Sequence, residues 1–372
     1  MDGTILLITV LLMVPVNFIL AITPYITRQT EVFGVIVGGD YVKDALFRKW
    51  RRQFAVTAGI VQFLLIIVFV GVEVLGSMDE NSMAILFSIV LLCQIIAVAI
   101  IYMIFHKKMK ELKKTQPELF RNHERVRIST NFRKQKLTVS NYWFLIPTFI
   151  TVVTILVTYR MYGQIPDRIP LQYNLNGEAV EFTEKSKQTA FMLPAIQLSM
   201  TVLFLFINII IRKAKQQVEG RDMEADMQRN VIFRYRWSIF LLFTAVLLVL
   251  MFATIQASLI WTMPEKLLII MPFLFTAIIL GATIYLTITT GQGGSRIRIE
   301  GETASPDSPY VGRDEDKYWK FGLFYFNKND PSIFVEKRFG IGWTNNWAHP
   351  ISWLFIIIVI ILAVGLPLFL AL

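Results

Sequence analysis

The stretch Ile165–Gln197, with the sequence IPDRIPLQYNLNGEAVEFTEKSKQTAFMLPAIQ, separates two long apolar segments. Pro166 and Pro170 fix the backbone angle φ and cannot donate a hydrogen bond, whereas Asn176 and Gly177 tolerate a left-handed backbone. This pattern predicts a shaped loop. Its position between the apolar segments predicts that the loop connects two membrane-spanning helices.

The composition around this loop is that of a polytopic membrane protein. Hydrophobic residues make up 55% of the 372 residues and charged residues 17%, and the mean hydropathy is +0.54. An ordinary soluble domain is less apolar. The net charge of +10 does not indicate a nucleic-acid partner, because the basic residues lie between apolar runs, where membrane orientation explains them. A single cysteine, Cys93, excludes an internal disulfide and a cysteine cluster for zinc.

Eight apolar segments are long enough to cross a hydrocarbon core, which takes about 20 residues. Such segments must satisfy their backbone hydrogen bonds internally, so all of them are predicted to be helices. The sequence therefore predicts an all-α membrane protein with an eight-helix transmembrane bundle. The predicted spans are Ile5–Ile26, Phe54–Leu75, Met83–Phe105, Tyr142–Tyr162, Ala190–Ile211, Trp237–Trp261, Leu267–Thr290 and Ile351–Leu372.

The distribution of Lys and Arg predicts the orientation of these spans. The connections after spans one, three, five and seven carry 6, 11, 7 and 8 of these residues. The three alternate connections carry 0, 3 and 1, so the comparison is 32 against 4. Basic connections stay in the cytoplasm. Both termini are therefore predicted to lie outside, and so is the loop after span four.

The predicted spans and their connections divide the chain into five parts. The last connection contains the aromatic segment Asp316–Pro350, which is too short for a core of its own and is predicted to pack on the inner membrane surface. The lysine-rich run from His106 predicts that span three continues as a charged helix, and the mixed charges of Arg212–Asn230 predict a solvated helical hairpin. The parts are 1–141, a three-helix membrane region; 142–211, a helix–loop–helix; 212–290, a membrane hairpin; 291–350, a small aromatic cytoplasmic module; and 351–372, the last transmembrane helix.

Few ionisable residues lie inside the predicted spans. Glu73 and Arg160 lie near the outer ends of spans two and four at similar depth, so they either form an ion pair facing the outer loop or each reach their own interface. The sequence has no Walker motif, no dinucleotide-binding glycine motif, no HExxH and no GxSxG. We therefore expect no catalytic residues, no metal site, no cofactor and no enzymatic activity.

The loop after span four resembles a bacterial membrane domain, domain of unknown function 1648, over Phe144–Pro194. The residues that carry the resemblance are Ile165-Pro166-Asp167, Ile169-Pro170, Gln172-Tyr173-Asn174, Asn176-Gly177-Glu178 and Pro194. Gln172 and Tyr173 stand where that family usually has His and an aromatic residue such as Trp. The domain occurs in immunity proteins against sporulation-delaying toxin, so the resemblance implies a ligand-facing loop.

The segment Asp316–Pro350 resembles a second bacterial module, domain of unknown function 5808. The matching residues are Trp319-Lys320, Gly322, Phe324-Tyr325, Asn327, Asp330-Pro331, Val335, Lys337-Arg338, Gly340, Gly342-Trp343-Thr344 and Asn346. Together the two resemblances imply a multi-pass protein of the bacterial plasma membrane. They imply no catalytic residues.

An enzyme ranks third, because the acidic residues are scattered across loops. Two functions rank ahead of it, and we favour the first. In the first, a non-enzymatic toxin-immunity or envelope-stress sensing protein binds a peptide or lipid-like ligand through an outer site, and its aromatic module docks a cytoplasmic protein or the membrane face. The outer site would comprise Pro170, Gln172, Tyr173, Asn174, Asn176, Gly177, Glu73 and Arg160, and the docking set Trp319, Tyr325, Asp330, Lys337, Arg338 and Trp343. In the second, a transporter or permease carries a lipid or small apolar solute. Pro15, Pro194, Pro272 and Pro367 could mark broken helices, although proline is frequent in membrane helices generally.

Overall fold

The computed structural model describes residues 3–76, 80–120, 135–173, 179–217, 222–300 and 315–361. The chain divides into two compact units, each built from separated segments. The first unit comprises Met1–Leu137, Ala214–Arg234 and Thr283–Ser352. The second comprises Thr138–Lys213, Tyr235–Ala282 and Trp353–Leu372.

Helices make up most of the described chain. Six of the helices given below are long and apolar enough to cross a membrane, by length and composition: α2, α3, α6, α7, α8, and α4 together with the 3-10 turn Asn141–Phe144 that precedes it. The helices are α1 (Gly3–Ile26), α2 (Ala45–Leu75), α3 (Glu80–Thr115), α4 (Leu145–Arg160), α5 (Lys187–Ala190), α6 (Met192–Lys213), α7 (Met223–Ser258), α8 (Glu265–Thr290) and α9 (Pro350–Ile360).

The six long helices confirm predicted spans two to seven. The first predicted span corresponds to α1, which contains Pro15 and Pro24. The last corresponds to α9, whose described part ends at Ile360, so the remainder of that predicted span lies outside the described residues. The count of eight spans and the placement of both termini outside stay predictions.

Two predicted extensions beyond the apolar spans are also helical. α3 has 36 residues and continues to Thr115, which confirms the charged helical extension. At 1.5 Å per residue it is about 54 Å long, whereas a hydrocarbon core is about 30 Å thick. The solvated helical hairpin predicted for Arg212–Asn230 is seen only at its ends: α6 ends at Lys213, α7 begins at Met223, and residues 218–221 lie outside the described residues. Asn230 is buried rather than solvated.

The prediction of an all-α chain needs correction, because the described residues also form four antiparallel hairpins. Short extended segments flanked by turn residues can pair locally even in a mostly helical protein. Pro170 lies within one of these strands, which is tolerated because every strand of a two-stranded sheet is an edge strand. The pairs are β1 (Glu31–Val32) with β2 (Val35–Ile36), β3 (Arg168–Tyr173) with β4 (Ala179–Glu184), β5 (Trp319–Lys320) with β6 (Phe324–Tyr325), and β7 (Phe334–Glu336) with β8 (Trp343–Asn345).

Two Phe-Gly turns meet in the core of the first unit. Phe33 and Gly34 have φ of 47° and 78°, and Phe321 and Gly322 have 54° and 68°. Two successive positive φ values are typical of the type I′ turn that suits a twisted hairpin. A Cβ added at Gly34 would lie 2.7 Å from the Cα of Gly322 and 2.4 Å from the Tyr102 hydroxyl oxygen. Glycine is therefore needed at this approach for space as well as for φ.

Phe33 also anchors the aromatic core of the first unit. Its ring stacks on Phe105 of α3 with centroids 4.9 Å apart and contacts Phe54 of α2 at 5.5 Å. The β1–β2 turn thereby packs against both helices, with Phe47 and Met109 buried in the same cluster.

The second unit has a separate core beneath its hairpin. Ile165 and Ile169, on either side of the start of β3, bury against Ala190 of α5 and Leu259 after α7. A short capping box begins α5: the Ser186 hydroxyl accepts from the Thr189 N–H at 3.1 Å, and the Thr189 hydroxyl accepts from the Ser186 N–H at 2.8 Å. These contacts fix both ends of the β3–β4 hairpin.

Candidate ligand site

The predicted loop after span four is a β-hairpin rather than an irregular loop. The strand register pairs Arg168 with Glu184 and Pro170 with Phe182, and it shifts beyond Pro170. At the base, the Lys185 N–H donates to the Asp167 carbonyl at 2.8 Å. The Lys185 ammonium donates to the Ile165 carbonyl at 2.6 Å. The hairpin is therefore tied to its supporting core at the base of both strands.

The hairpin carries apolar side chains that remain exposed. Leu171 on β3 and Val180 and Phe182 on β4 are all more than a third exposed. The Arg168 guanidinium lies 4.9 Å from the centroid of the Phe182 ring, as in a cation–π contact. Exposed apolar side chains on an anchored hairpin make this surface suited to recognition rather than to core packing.

The outer edge of β4 is available for a further strand. Among the described residues, β3 and β4 pair only with each other. Because Lys185 and Asp167 are hydrogen-bonded partners, alternation along the ladder leaves the pairs of Glu184 and Phe182 non-hydrogen-bonded. The N–H groups of Phe182 and Glu184 therefore point away from β3. β4 contains no proline, so its edge can offer a continuous row of donors and acceptors.

Three of the predicted outer-site residues lie on strand β3. Pro170 and Gln172 lie on β3, where Gln172 is exposed, and Tyr173 is half-buried. Burial raises the pKa of Tyr173, while a hydrogen bond with Ser258 acts in the opposite direction. Asn174, Asn176 and Gly177 lie outside the described residues.

The predicted pairing of Glu73 and Arg160 stays a prediction. Glu73 lies in α2, in the first unit, and exposed Arg160 ends α4 in the second.

An apolar groove lies between α4 and α7 of the second unit, next to the residues that support the hairpin. Its volume is about 270 Å³, and it is partly open. The walls are Phe149, Ile150, Val153, Thr154, Val157 and Thr158 from α4, and Ala253, Gln256, Ala257, Ile260 and Trp261 from α7 and the turn after it. Sequence reasoning missed this groove, because its walls come from segments that are about a hundred residues apart in the chain and that read individually as plain membrane helices.

Half of the predicted docking residues of the aromatic module are buried in the first unit. Trp319, Tyr325 and Arg338 are buried, and the Arg338 guanidinium lies 4.9 Å from the centroid of the Trp319 ring. The structure therefore uses these three side chains to build the unit, which leaves them inaccessible to a partner in this conformation. Lys337 is exposed and Trp343 is partly buried. Among the described residues of the module, the exposed aromatic side chains are Phe321, Phe324 and Phe326.

Glu336 is the centre of a buried ion cluster that the sequence did not reveal. Its side chain is 0% exposed and forms ion pairs with Arg28 and, at 3.0 Å, with Arg234. The Asn230 amide donates to the same carboxylate at 2.8 Å and accepts from Arg234 Nε at 2.8 Å. Arg234 also donates to the Ala214 carbonyl at 2.9 Å. The Glu336 carboxylate thus connects β7 to Arg28, just after α1, and to Arg234 in the N-terminal part of α7.

Two more carboxylates extend this ionic framework. Asp316 pairs with Arg338 and, at 2.7 Å, with Lys113 of α3. Asp330 accepts from Lys215 and from the Tyr325 hydroxyl, both at 2.7 Å.

The hydrogen bonds around Asp330 decide its ionisation. Burial alone would raise the pKa of Asp330, but hydrogen bonds from Lys215, Ser332 and Tyr325 outweigh burial and lower the pKa to about 2. Burial and the bond to Asp330 raise the pKa of the Tyr325 phenol. Asp330 is therefore charged and Tyr325 neutral near pH 7. No group of three potential metal ligands occurs among His, Cys, Asp and Glu within the described ranges.

Comparison with known protein families gives two matches. Residues 149–198 match the model described as Domain of unknown function (DUF1648). Residues 328–353 match the model described as Family of unknown function (DUF5808). The chain is an integral membrane protein. The first match covers most of α4, the segment of the β3–β4 hairpin and the start of α6. The second contains Asp330, Glu336 and Arg338. Both predicted resemblances, and their order along the chain, are therefore confirmed.

No curated protein and no solved structure matches this chain significantly. The residues 316–327 of the aromatic segment lie outside the second family match.

Proposed function

We propose that this integral membrane protein is non-enzymatic and recognises a membrane-active peptide on the outer side of the bacterial plasma membrane, in a toxin-immunity or envelope-stress sensing role. The observation that carries the proposal is the anchored β3–β4 hairpin with exposed apolar side chains, whose outer edge on β4 pairs with no other strand among the residues that the structure describes. The distribution of Lys and Arg supports an outward position for this hairpin.

A peptide adding to β4 as a third strand would gain main-chain hydrogen bonds from the outward N–H groups of Phe182 and Glu184. Strand addition of this kind gives affinity through the backbone and specificity through alternate side chains. Val180 and Phe182 would supply the apolar contacts. A two-stranded hairpin is marginal by itself, so a third strand would also stabilise it.

The decisive test uses one position and two substitutions. Glu184→Pro removes an outward N–H but no bond of the β3–β4 ladder, whereas Glu184→Ala removes the same side chain and keeps the N–H. A gene-deletion strain complemented with wild type or either variant would be challenged with membrane-active peptides, with protein amounts compared by immunoblotting. We expect wild type and Glu184→Ala to protect and Glu184→Pro to lose protection.

Unchanged sensitivity of the deletion strain would refute the protective role. Full protection by Glu184→Pro would refute strand addition, especially if Asn174→Ala, between β3 and β4 in the sequence, were also silent. A reporter fused near Glu178 checks the orientation independently, since a cytoplasmic signal would place the hairpin on the wrong side for this ligand. Net movement of a lipid or small solute in proteoliposomes would instead favour transport.

A further inference from the structure

The groove between α4 and α7 contains a threonine that departs from the pattern of its helix. Thr148, Thr151 and Thr154 each donate their hydroxyl to the carbonyl four residues earlier, at 2.8, 2.9 and 2.9 Å. This local bond is how a threonine is satisfied inside an apolar helix. Thr158, which is 0% exposed, has no partner for its hydroxyl in the described part of the chain. Thr158 lines the groove.

The opposite wall has a matching group on α7. Gln256 is 2% exposed, and its amide nitrogen donates to the Ala190 carbonyl at 3.1 Å. Its amide oxygen finds no partner among the described residues. Each wall therefore contributes one buried polar atom without a bond. Leaving a buried polar atom unpaired is destabilising, and these two atoms belong to side chains that line the same groove, so together they point to a ligand that completes them.

Apart from Thr154, the remaining lining of the groove is apolar, and part of it lies on the exposed face of a candidate membrane span. Phe149 and Val153 are strongly exposed on a helix that is apolar enough to span a bilayer, and Trp261 is exposed at the end of the groove. Tryptophan at this position is typical of the membrane–water interface. A cavity of about 150 Å³ holds a benzene ring, so 270 Å³ has room for a chain of about ten carbons.

We propose that this groove binds a single bilayer lipid. The acyl chain would fill the apolar floor, a hydroxyl, amide or ammonium group near its glycerol end would donate to Gln256, and an ester carbonyl would accept from Thr158. Bilayer lipid is the occupant because the groove opens on helix faces that acyl chains contact, and because its polar pair matches one donor and one acceptor. The site is distinct from the β4 edge, and the inference does not depend on the proposed function.

The test uses full-length protein in phosphatidylcholine nanodiscs containing a few per cent of phosphatidylethanolamine with a diazirine on one acyl chain. After illumination, crosslinked peptides are identified by mass spectrometry. We expect crosslinks within residues 149–158 and 253–261.

Val153→Trp should fill the groove and lower this crosslinking about tenfold. Val152→Trp is the matched control, because Val152 neighbours it on α4, is similarly exposed (45% against 41%) and does not line the groove.

The polar half of the site is tested by two further substitutions. Thr158→Val removes the unpartnered hydroxyl and should lower crosslinking about threefold to tenfold, as expected for one lost hydrogen bond. Thr151→Val removes a hydroxyl that is bonded within the helix and should leave crosslinking unchanged. Ala257→Leu fills the groove from α7, and size-exclusion profiles show whether each variant is folded.

Equal crosslinking in Val153→Trp and Val152→Trp, or crosslinks only outside the two segments, would overturn the lipid site. If Thr158→Val and Thr151→Val behaved alike, the polar contacts would be wrong. The Glu184→Pro variant should crosslink normally, so the failure of peptide recognition and the failure of lipid binding can be told apart.

Discussion

Each of the two compact units has its own internal network of polar contacts, and the two networks differ in kind. In the first, Glu336 joins Arg28 and Arg234 in a buried ion cluster. In the second, the central contact is neutral: the Asn208 amide donates to the Val139 carbonyl at 3.2 Å and to the Asn141 side chain at 3.0 Å. Asn208 also accepts from Ser238, whose hydroxyl accepts from the Val139 N–H at 2.9 Å.

The difference between the two networks determines how much stability each unit loses when one polar residue is replaced. A buried ion cluster is strongly destabilised when one partner is lost, because the remaining charge stays in a low-dielectric interior. A neutral network loses only hydrogen bonds and the desolvation of the atoms left unpaired. The first unit should therefore tolerate change at its polar centre much less than the second.

The largest effect is expected from Glu336→Gln, which leaves Arg28 and Arg234 without their carboxylate. Removing one partner of a buried charge cluster costs about 3–5 kcal/mol. Denaturant unfolding of the protein in detergent micelles measures this loss. Glu111→Gln makes the same change of charge at an exposed site of α3 and should leave the unfolding midpoint almost unchanged. Similar midpoints for the two variants would contradict the central role of Glu336.

Ser238→Ala is the equivalent break in the second unit. It removes the hydroxyl that joins Asn208 to the Val139 N–H, and it should cost about 1–2 kcal/mol. The same unfolding measurement applies. A loss as large as that of Glu336→Gln would show that charge does not distinguish the two units.

The smallest effect is a pH dependence confined to the first unit. The pKa of Asp330 is lowered from 3.8 to about 2, so the folded state favours the carboxylate. The stabilisation is present above pH 4 and is lost as the pH falls from about 4 to 2. Because Lys215 is partly exposed, we expect about 1 kcal/mol. Asp330→Asn should flatten this part of the stability profile, and an unaltered acid transition in the variant would contradict the assignment.

The sequence predicted the helices well because their evidence is local. A run of about 20 apolar residues is sufficient to indicate a span, and six such spans are confirmed. The helical extension of α3 to Thr115 was also visible, in its lysine-rich run. In the candidate site, the predicted loop residues Pro170 and Gln172 do lie on one exposed hairpin.

The rest depends on residues that are far apart in the chain. Glu336 and Arg28 are separated by 308 positions, and no single-sequence pattern links them. The sequence signal for the hairpins was weak. Both Phe-Gly turns follow short extended segments, which favours a hairpin, but phenylalanine rarely adopts the positive φ that these turns require. The groove between α4 and α7 could not be predicted because it is made by packing and not by any motif.

The separation of Arg28 from Glu336 also constrains how the protein is made. At roughly 5–20 residues per second, a ribosome needs about 15–60 s to add the 308 residues that follow Arg28 up to and including Glu336. Throughout that interval the nascent chain must carry Arg28 without its carboxylate. The first unit is therefore completed only late in translation, which makes the growing chain a natural client for insertion factors or chaperones.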